Sequence, residues 1–110
     1  MPSPHLSIVI PMFNAEAVLP LLADRLRPLA DAMVVDGVSA AYEIVAVDDG
    51  STDATPVLLQ RLRRTWPEVR VLRLRANAGH QAAISAGLAR ARGDYVVTLD
   101  ADLQDPPEVI

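Results

Sequence analysis

Cysteine and lysine are both absent from this 110-residue chain, and aromatic residues make up only 4% of it. Without cysteine there is no disulfide framework, no thiolate metal site and no thiol nucleophile. No stretch approaches the roughly 20 consecutive apolar residues of a membrane span. The opening Met1-Pro-Ser-Pro-His5 lacks the basic and apolar regions of a secretory signal, which makes the cytoplasmic side the expected location. Positive charge is also in deficit, with 10 basic against 14 acidic residues and a net charge of -4. Binding to nucleic acid through bulk charge is therefore not expected, because neutralising phosphates needs a basic excess. Two phosphate-binding signatures are missing as well: neither G-x-G-x-x-G nor G-x-x-x-x-G-K-[ST] occurs, which removes the main support for dinucleotide oxidoreductases and P-loop enzymes. His80 has no serine or cysteine partner pattern, so a nucleophile triad is unsupported.

What is present is a hydrophobic content of 51%, enough for one modest domain with a genuine core. Leu6 to Ile10 is a short β-branched run closed by Pro11, which predicts a buried strand. Leu22, Leu26, Leu29 and Met33 then recur at helical spacing, predicting a helix from about Val18 to Met33, kinked or stopped early at Pro28 and terminated by Gly37. Tyr42 to Val47 reads as a second strand, broken at Asp48-Asp49-Gly50. Ser51, Thr52 and Asp53 are helix-cap candidates ahead of an apolar stripe of Val57, Leu58 and Leu62 that ends near Trp66. A third strand, Val69 to Leu74, precedes the loop Arg75 to Gly79 and an alanine-rich helix from His80 to Arg92 that stops at Gly93. Within it, Gly87 suits close packing against a sheet. The fourth strand, Tyr95 to Leu99, runs into Asp100-Ala101-Asp102. This β-α-β-α-β-α-β order predicts an α/β fold with an open, mostly parallel sheet. Ligands bind such sheets beyond the carboxyl ends of the strands.

Polar clusters follow three of the four strands at that edge: Asn14 with Glu16, Asp48 with Asp49, and Asp100 with Asp102. The strongest is Asp100-Ala-Asp102-Leu-Gln104-Asp105-Pro-Pro-Glu108. Carboxylates at i and i+2 in a turn can share one hard cation, with the Gln104 carbonyl as a third oxygen, and Mg2+ or Mn2+ held this way keeps positions open for a diphosphate. The competing account is an acidic turn with Asp105 as a helix cap, and for Asp105 that account is preferred. Asp49 is favoured as a ligand contact, whereas Asn14 and Glu16 are equally well explained as a cap. Asn77-Ala-Gly79-His80 could meet phosphates but is equally a turn and helix start.

Taken in order, LSIVIPMFNAE, YEIVAVDDGSTDAT and NAGHQAAISAGLARARGDYVVTLDADLQDPPE resemble the N-terminal half of family 2 glycosyltransferases of the GT-A fold. Within that family they are most similar to the dolichyl-phosphate mannose synthase and polyprenyl-phosphate glycosyltransferase branch. The resemblance implies a nucleotide-sugar-binding part of a longer transferase domain, occupying residues 1–110. It also implies an inverting, metal-assisted transfer of a hexose from a UDP-glucose or GDP-mannose type donor to a polyprenyl phosphate, with membrane association through sequence outside this chain. Carried over residue by residue, Pro11, Asn14 and Glu16 border the nucleotide and Asp49 holds the base with Asp48 beside it. Asp100 lies near the ribose and diphosphate, and Asp102 with Gln104 ligates the metal. Ala15 departs from the family pattern, which often has a second acidic residue there. Two alternatives stand beside this reading: a catalytically incomplete nucleotide-sugar-binding fragment, and a haloacid-dehalogenase-like phosphatase with Asp100 as nucleophile.

Overall fold

The computed structural model describes residues 5–35 and 41–101. Its elements follow the predicted order: β1 (His5–Met12), α1 (Leu19–Val35), β2 (Ala41–Asp48), α2 (Thr55–Thr65), β3 (Val69–Arg73), α3 (His80–Arg90) and β4 (Tyr95–Thr98). The strands form one parallel sheet in the order β3-β2-β1-β4. The chain thus steps outward from β1 to β3 and then returns to the other side of β1, which places a topological switch point between β1 and β4.

Helices cover both faces. Leu6, Ile8, Ile10 and Met12 of β1 join Ile44 and Ala46 of β2 in one core with Leu19, Leu22, Leu26, Leu59 and Trp66 from the α1 and α2 side. Val9, Val45 and Val47 point the other way and meet Ala83 of α3. Period-two alternation along β1 and β2 therefore feeds two cores, which is why both strands read as continuous apolar runs. Burying each large aliphatic side chain contributes about 2 kcal/mol. Gly87 faces this second layer, and a Cβ there would lie 2.9 Å from Val47 Cγ2 and closer still to Val9 Cγ1. The close helix-to-sheet approach expected of Gly87 is what the fold uses.

Several local expectations are corrected. β1 does not stop at Ile10 but continues through Pro11 to Met12, paired with Val47 and Asp48. Pro11 is tolerated because the β4 ladder ends at Val9, so β1 is in effect an edge strand beyond that point. α1 continues through Pro28 to Val35. Pro28 is exposed, so solvent can satisfy the carbonyl one turn earlier that it cannot serve. The buried face of α1 is Leu19, Leu22, Leu26 and Ala30, with Leu29 and Met33 half-buried at its margin. α2 turns Leu59 fully inward and leaves Val57 exposed, so the true stripe is displaced from the predicted one. α3 ends at Arg90 rather than Arg92, and β4 at Thr98 rather than Leu99. Gly37 lies outside the described residues.

Candidate functional site

Three loops leave the carboxyl edge of the sheet, after β1, β2 and β3, and buried polar side chains at the end of β2 tie them together. Consecutive amides of the first loop donate into the second: Asn14 N–H to Ser51 Oγ at 2.9 Å, Ala15 N–H to Thr55 Oγ1 at 2.8 Å and Glu16 N–H to Asp53 Oδ2 at 3.2 Å. Asn14 reciprocates with Oδ1, which accepts the Thr52 N–H at 2.8 Å, and it adopts a left-handed φ of 52° to do so. Asparagine is among the few side-chain-bearing residues that enter this region readily. Ser51, Thr55 and Asp53 thus act as acceptors for a neighbouring loop, and the cap expected among Ser51, Thr52 and Asp53 is corrected, since the N-cap of α2 is Ala54 with no side-chain cap hydrogen bond. Asp53 also serves its own turn, with Oδ1 accepting the Thr55 N–H at 2.9 Å. Burial would push its carboxyl up, but these hydrogen bonds from Thr55 and Glu16 hold it below the ordinary value.

The second and third loops are joined by Asp49. Its buried carboxylate accepts the Ala78 N–H at 2.7 Å and the Gly79 N–H at 3.1 Å, which fixes the chain at the start of α3. Asp48 is fully buried. Its Oδ1 accepts the Ser51 N–H at 3.0 Å, while Oδ2 has no hydrogen bond and faces Arg73 Nε at 3.7 Å. Gly50, at φ +72°, lets the two loops touch: a Cβ there would lie 2.5 Å from the carbonyl carbon of Ala76.

The scaffold encloses two adjoining hollows. The larger, about 320 Å3, opens at the switch point between the β1 loop and the end of β4, with Pro11, Phe13, Asn14, His80 and Asp100 in its walls. The smaller, about 260 Å3, lies beside Asp49, Asn77 and Gly79 and shares Pro11, Phe13 and His80 with the first. On the wall of the larger one, His80 Nε2 stands 3.6 Å from Asp100 Oδ1, with side chains 57% and 43% exposed. This separation is an ion-pair contact rather than a hydrogen bond, and both side chains stay partly exposed to the hollow.

Of the residues singled out from the sequence, Pro11, Asn14, Asp49 and Asp100 therefore gather at one cleft. Glu16 and Asp48 line neither hollow; the first is exposed beside the clasp and the second is buried beneath it. Asp102, Gln104, Asp105 and Glu108 lie outside the described residues. Among the described residues no group of three or more His, Cys, Asp or Glu side chains is placed to hold a metal ion. Phe13 belongs to none of the polar clusters of the sequence, yet it is the chain's single phenylalanine, is 48% exposed and borders both hollows. The available signal was its place, directly after a strand at the ligand-binding edge of a parallel sheet. His80 carried only a weak signal, because its partner across the cleft is 20 residues away in sequence.

Comparison with known proteins agrees with this geometry. The chain is 48% identical over 105 residues to the undecaprenyl-phosphate 4-deoxy-4-formamido-L-arabinose transferase of Pseudomonas aeruginosa, covering 94% of this chain but 30% of that protein. Among solved structures, a mannosyltransferase from Pyrobaculum calidifontis in complex with GDP-Man and Mn2+ shares the fold, with a TM-score of 0.72, 24% identity and coverage of 94% of this chain and 33% of that one. Glucosyl-3-phosphoglycerate synthase from Mycobacterium tuberculosis, in complex with Mn2+, UDP and glucosyl-3-phosphoglycerate, superimposes with a TM-score of 0.64 at 28% identity, covering 90% of this chain and 34% of that one. The α/β, GT-A-type reading of the fold is borne out by these likenesses. The chain spans about 30% of the length of the curated relatives it matches. The Glycosyl transferase family 2 model matches residues 7–110, and the chain belongs to that family.

Proposed function

We propose that this chain is the donor-binding part of an inverting glycosyltransferase that moves a hexose from a nucleotide-sugar of the UDP-glucose or GDP-mannose type to a polyprenyl phosphate. The observation that carries the reading is the cleft at the β1/β4 switch point, with the Asp100–His80 pair on its wall. Open α/β sheets bind ligands at that place. Relatives lend support, since the Pseudomonas aeruginosa protein is named for transfer to undecaprenyl phosphate and the Mycobacterium tuberculosis structure holds UDP with Mn2+.

In this reading Phe13 offers a ring face to the nucleobase, with the Asp49 wall beside it. His80 and the first amides of α3, whose Gly79 cap supplies no side-chain partner, meet the diphosphate. Asp100 would hold a divalent cation, Mg2+ or Mn2+, together with Asp102 and Gln104. The donor set is all oxygen, as a hard cation prefers, and Asp100 fits because its half-exposed carboxylate has no hydrogen bond to any described residue. When bound, such a cation stabilises the charge that develops on the departing diphosphate. The acceptor phosphate is already anionic, so no strong general base is required.

The phosphatase alternative falls with the family assignment. The incomplete-fragment reading has one observation in its favour, the 30% share of the relatives' length. Titrating the chain with UDP-sugars and GDP-mannose, with and without Mn2+, and then assaying transfer to undecaprenyl phosphate tests the proposal. Metal-dependent binding followed by transfer is the expected result. Binding without transfer leaves only the fragment reading, and no binding of any nucleotide-sugar overturns both.

A further inference from the structure

A further hollow, of about 490 Å3, lies on the flank of the molecule where α2 passes the end of β3, walled by Pro56, Val57, Gln60, Arg61, Arg64 and Arg73. α2 carries Arg61, Arg63 and Arg64 and no acidic residue. Among the described residues neither Arg61 nor Arg64 is in an ion pair. Arg73 touches Asp48 through Nε at 3.7 Å and keeps a side chain that is 61% exposed. Asp24 shares a neighbouring groove with Arg61 without pairing to it. The patch thus gathers three arginines, two of them outside any ion pair among the described residues, on a chain of net charge -4, and Val57 stands 53% exposed within it.

Folding does not require this arrangement, because exposed guanidinium groups left unpaired add little to stability. A planar array of phosphates would use it. Arginine binds phosphate oxygens through paired N–H donors, and an apolar side chain among the cations can dip below the headgroups. A long polyanion such as RNA is the poorer match, since it would extend past the patch into a surface of net negative charge. We propose that this flank docks on anionic phospholipid headgroups, with Arg61, Arg64 and Arg73 on the phosphates and Val57 at the interface. The hollow begins where β3 ends and α2 starts, at the same carboxyl edge as the cleft, so docking would bring the donor site to the membrane surface. The proposal rests on the lipid-phosphate acceptor for its purpose, but its test does not.

Co-sedimentation with vesicles of phosphatidylcholine, with and without phosphatidylglycerol, measures the docking directly. The unsubstituted chain should bind the phosphatidylglycerol vesicles and not pure phosphatidylcholine, with affinity falling as salt rises. Arg61→Gln together with Arg64→Gln should weaken binding about twenty-fivefold, from roughly fivefold per arginine near an anionic surface. The double lysine variant, which keeps the charge, should retain most of the binding, and both variants should keep the thermal midpoint and the nucleotide-sugar binding of the parent. Loss of nucleotide binding in the parent would strike the donor site alone. The docking proposal is overturned by any of four results: no preference for phosphatidylglycerol, undiminished binding by the glutamine variant, displacement from vesicles by inorganic phosphate at equal phosphate concentration, or tighter binding to single-stranded RNA than to the vesicles.

Discussion

The two edges of the sheet both carry networks of polar side chains but use them in opposite ways. At the amino edge a described cluster around Glu43 and Tyr42 is consumed internally. Glu43 accepts hydrogen bonds from the Ser7 hydroxyl at 2.5 Å, the Arg70 guanidinium at 2.5 Å and the Arg92 N–H at 2.6 Å. Ser7 Oγ in turn accepts the Gly93 N–H, and Arg70 reaches the Arg90 carbonyl at the end of α3. On the other face, Trp66 Nε1 donates to Tyr42 OH at 2.6 Å, and that hydroxyl donates to Asp31 at 2.7 Å. Burial and the bond to Asp31 push the Tyr42 hydroxyl far above its ordinary value, although the Trp66 donor acts against them, so it stays a donor throughout the accessible range. At the carboxyl edge the same kind of network ties three loops together but leaves Phe13 and the partly exposed His80–Asp100 pair facing the cleft. What separates a structural polar cluster from a functional one is the capacity left over once internal partners are served.

The largest test of that contrast is Asp100→Asn. Removing the carboxylate should lower metal-dependent nucleotide-sugar affinity by more than about a hundredfold, as for lost metal coordination, while the unfolding midpoint stays in place. Isothermal titration with and without Mn2+ reads this, and an equal loss of stability would place Asp100 among the structural residues instead. Glu43→Gln should do the reverse, costing about 2 kcal/mol of stability with no effect on nucleotide affinity. Burial would raise the Glu43 carboxyl, yet the Ser7, Arg92 and Arg70 donors hold it below its ordinary 4.5. Its ionised form therefore stabilises the fold above that value, and the contribution is lost as pH falls through the lower folded value. Urea midpoints of parent and variant should differ most at neutral pH and converge well below 4.5. The smallest effect is expected of Phe13→Ala, about fivefold in nucleotide affinity from a lost ring contact, with stability unchanged because the side chain is already 48% exposed. Unaltered affinity there would move the base-binding wall away from the first loop.

The fold was legible because its determinants are local. β-branched runs, helical spacing and turn residues alternate along the chain, and the handedness of crossovers does the rest. Asp100 was legible for a related reason, since an acidic residue straight after a buried strand sits by construction at the ligand edge. The loop clasp was not, because Asn14, Ala15 and Glu16 meet partners 37 to 40 residues away, and nothing in either segment alone names the other. Pro11 and Pro28 misled for a single reason: each breaks a rule about backbone donors that exposure or an unpaired edge relaxes.

Asp48 ends β2 and Asp49 follows it directly, yet one anchors the turn into α2 and the other the entrance to α3. Most of the cleft wall is thus assembled during folding. A ligand arriving there spends little of its binding free energy on ordering the protein, and substitutions in any one loop will be felt in the other two.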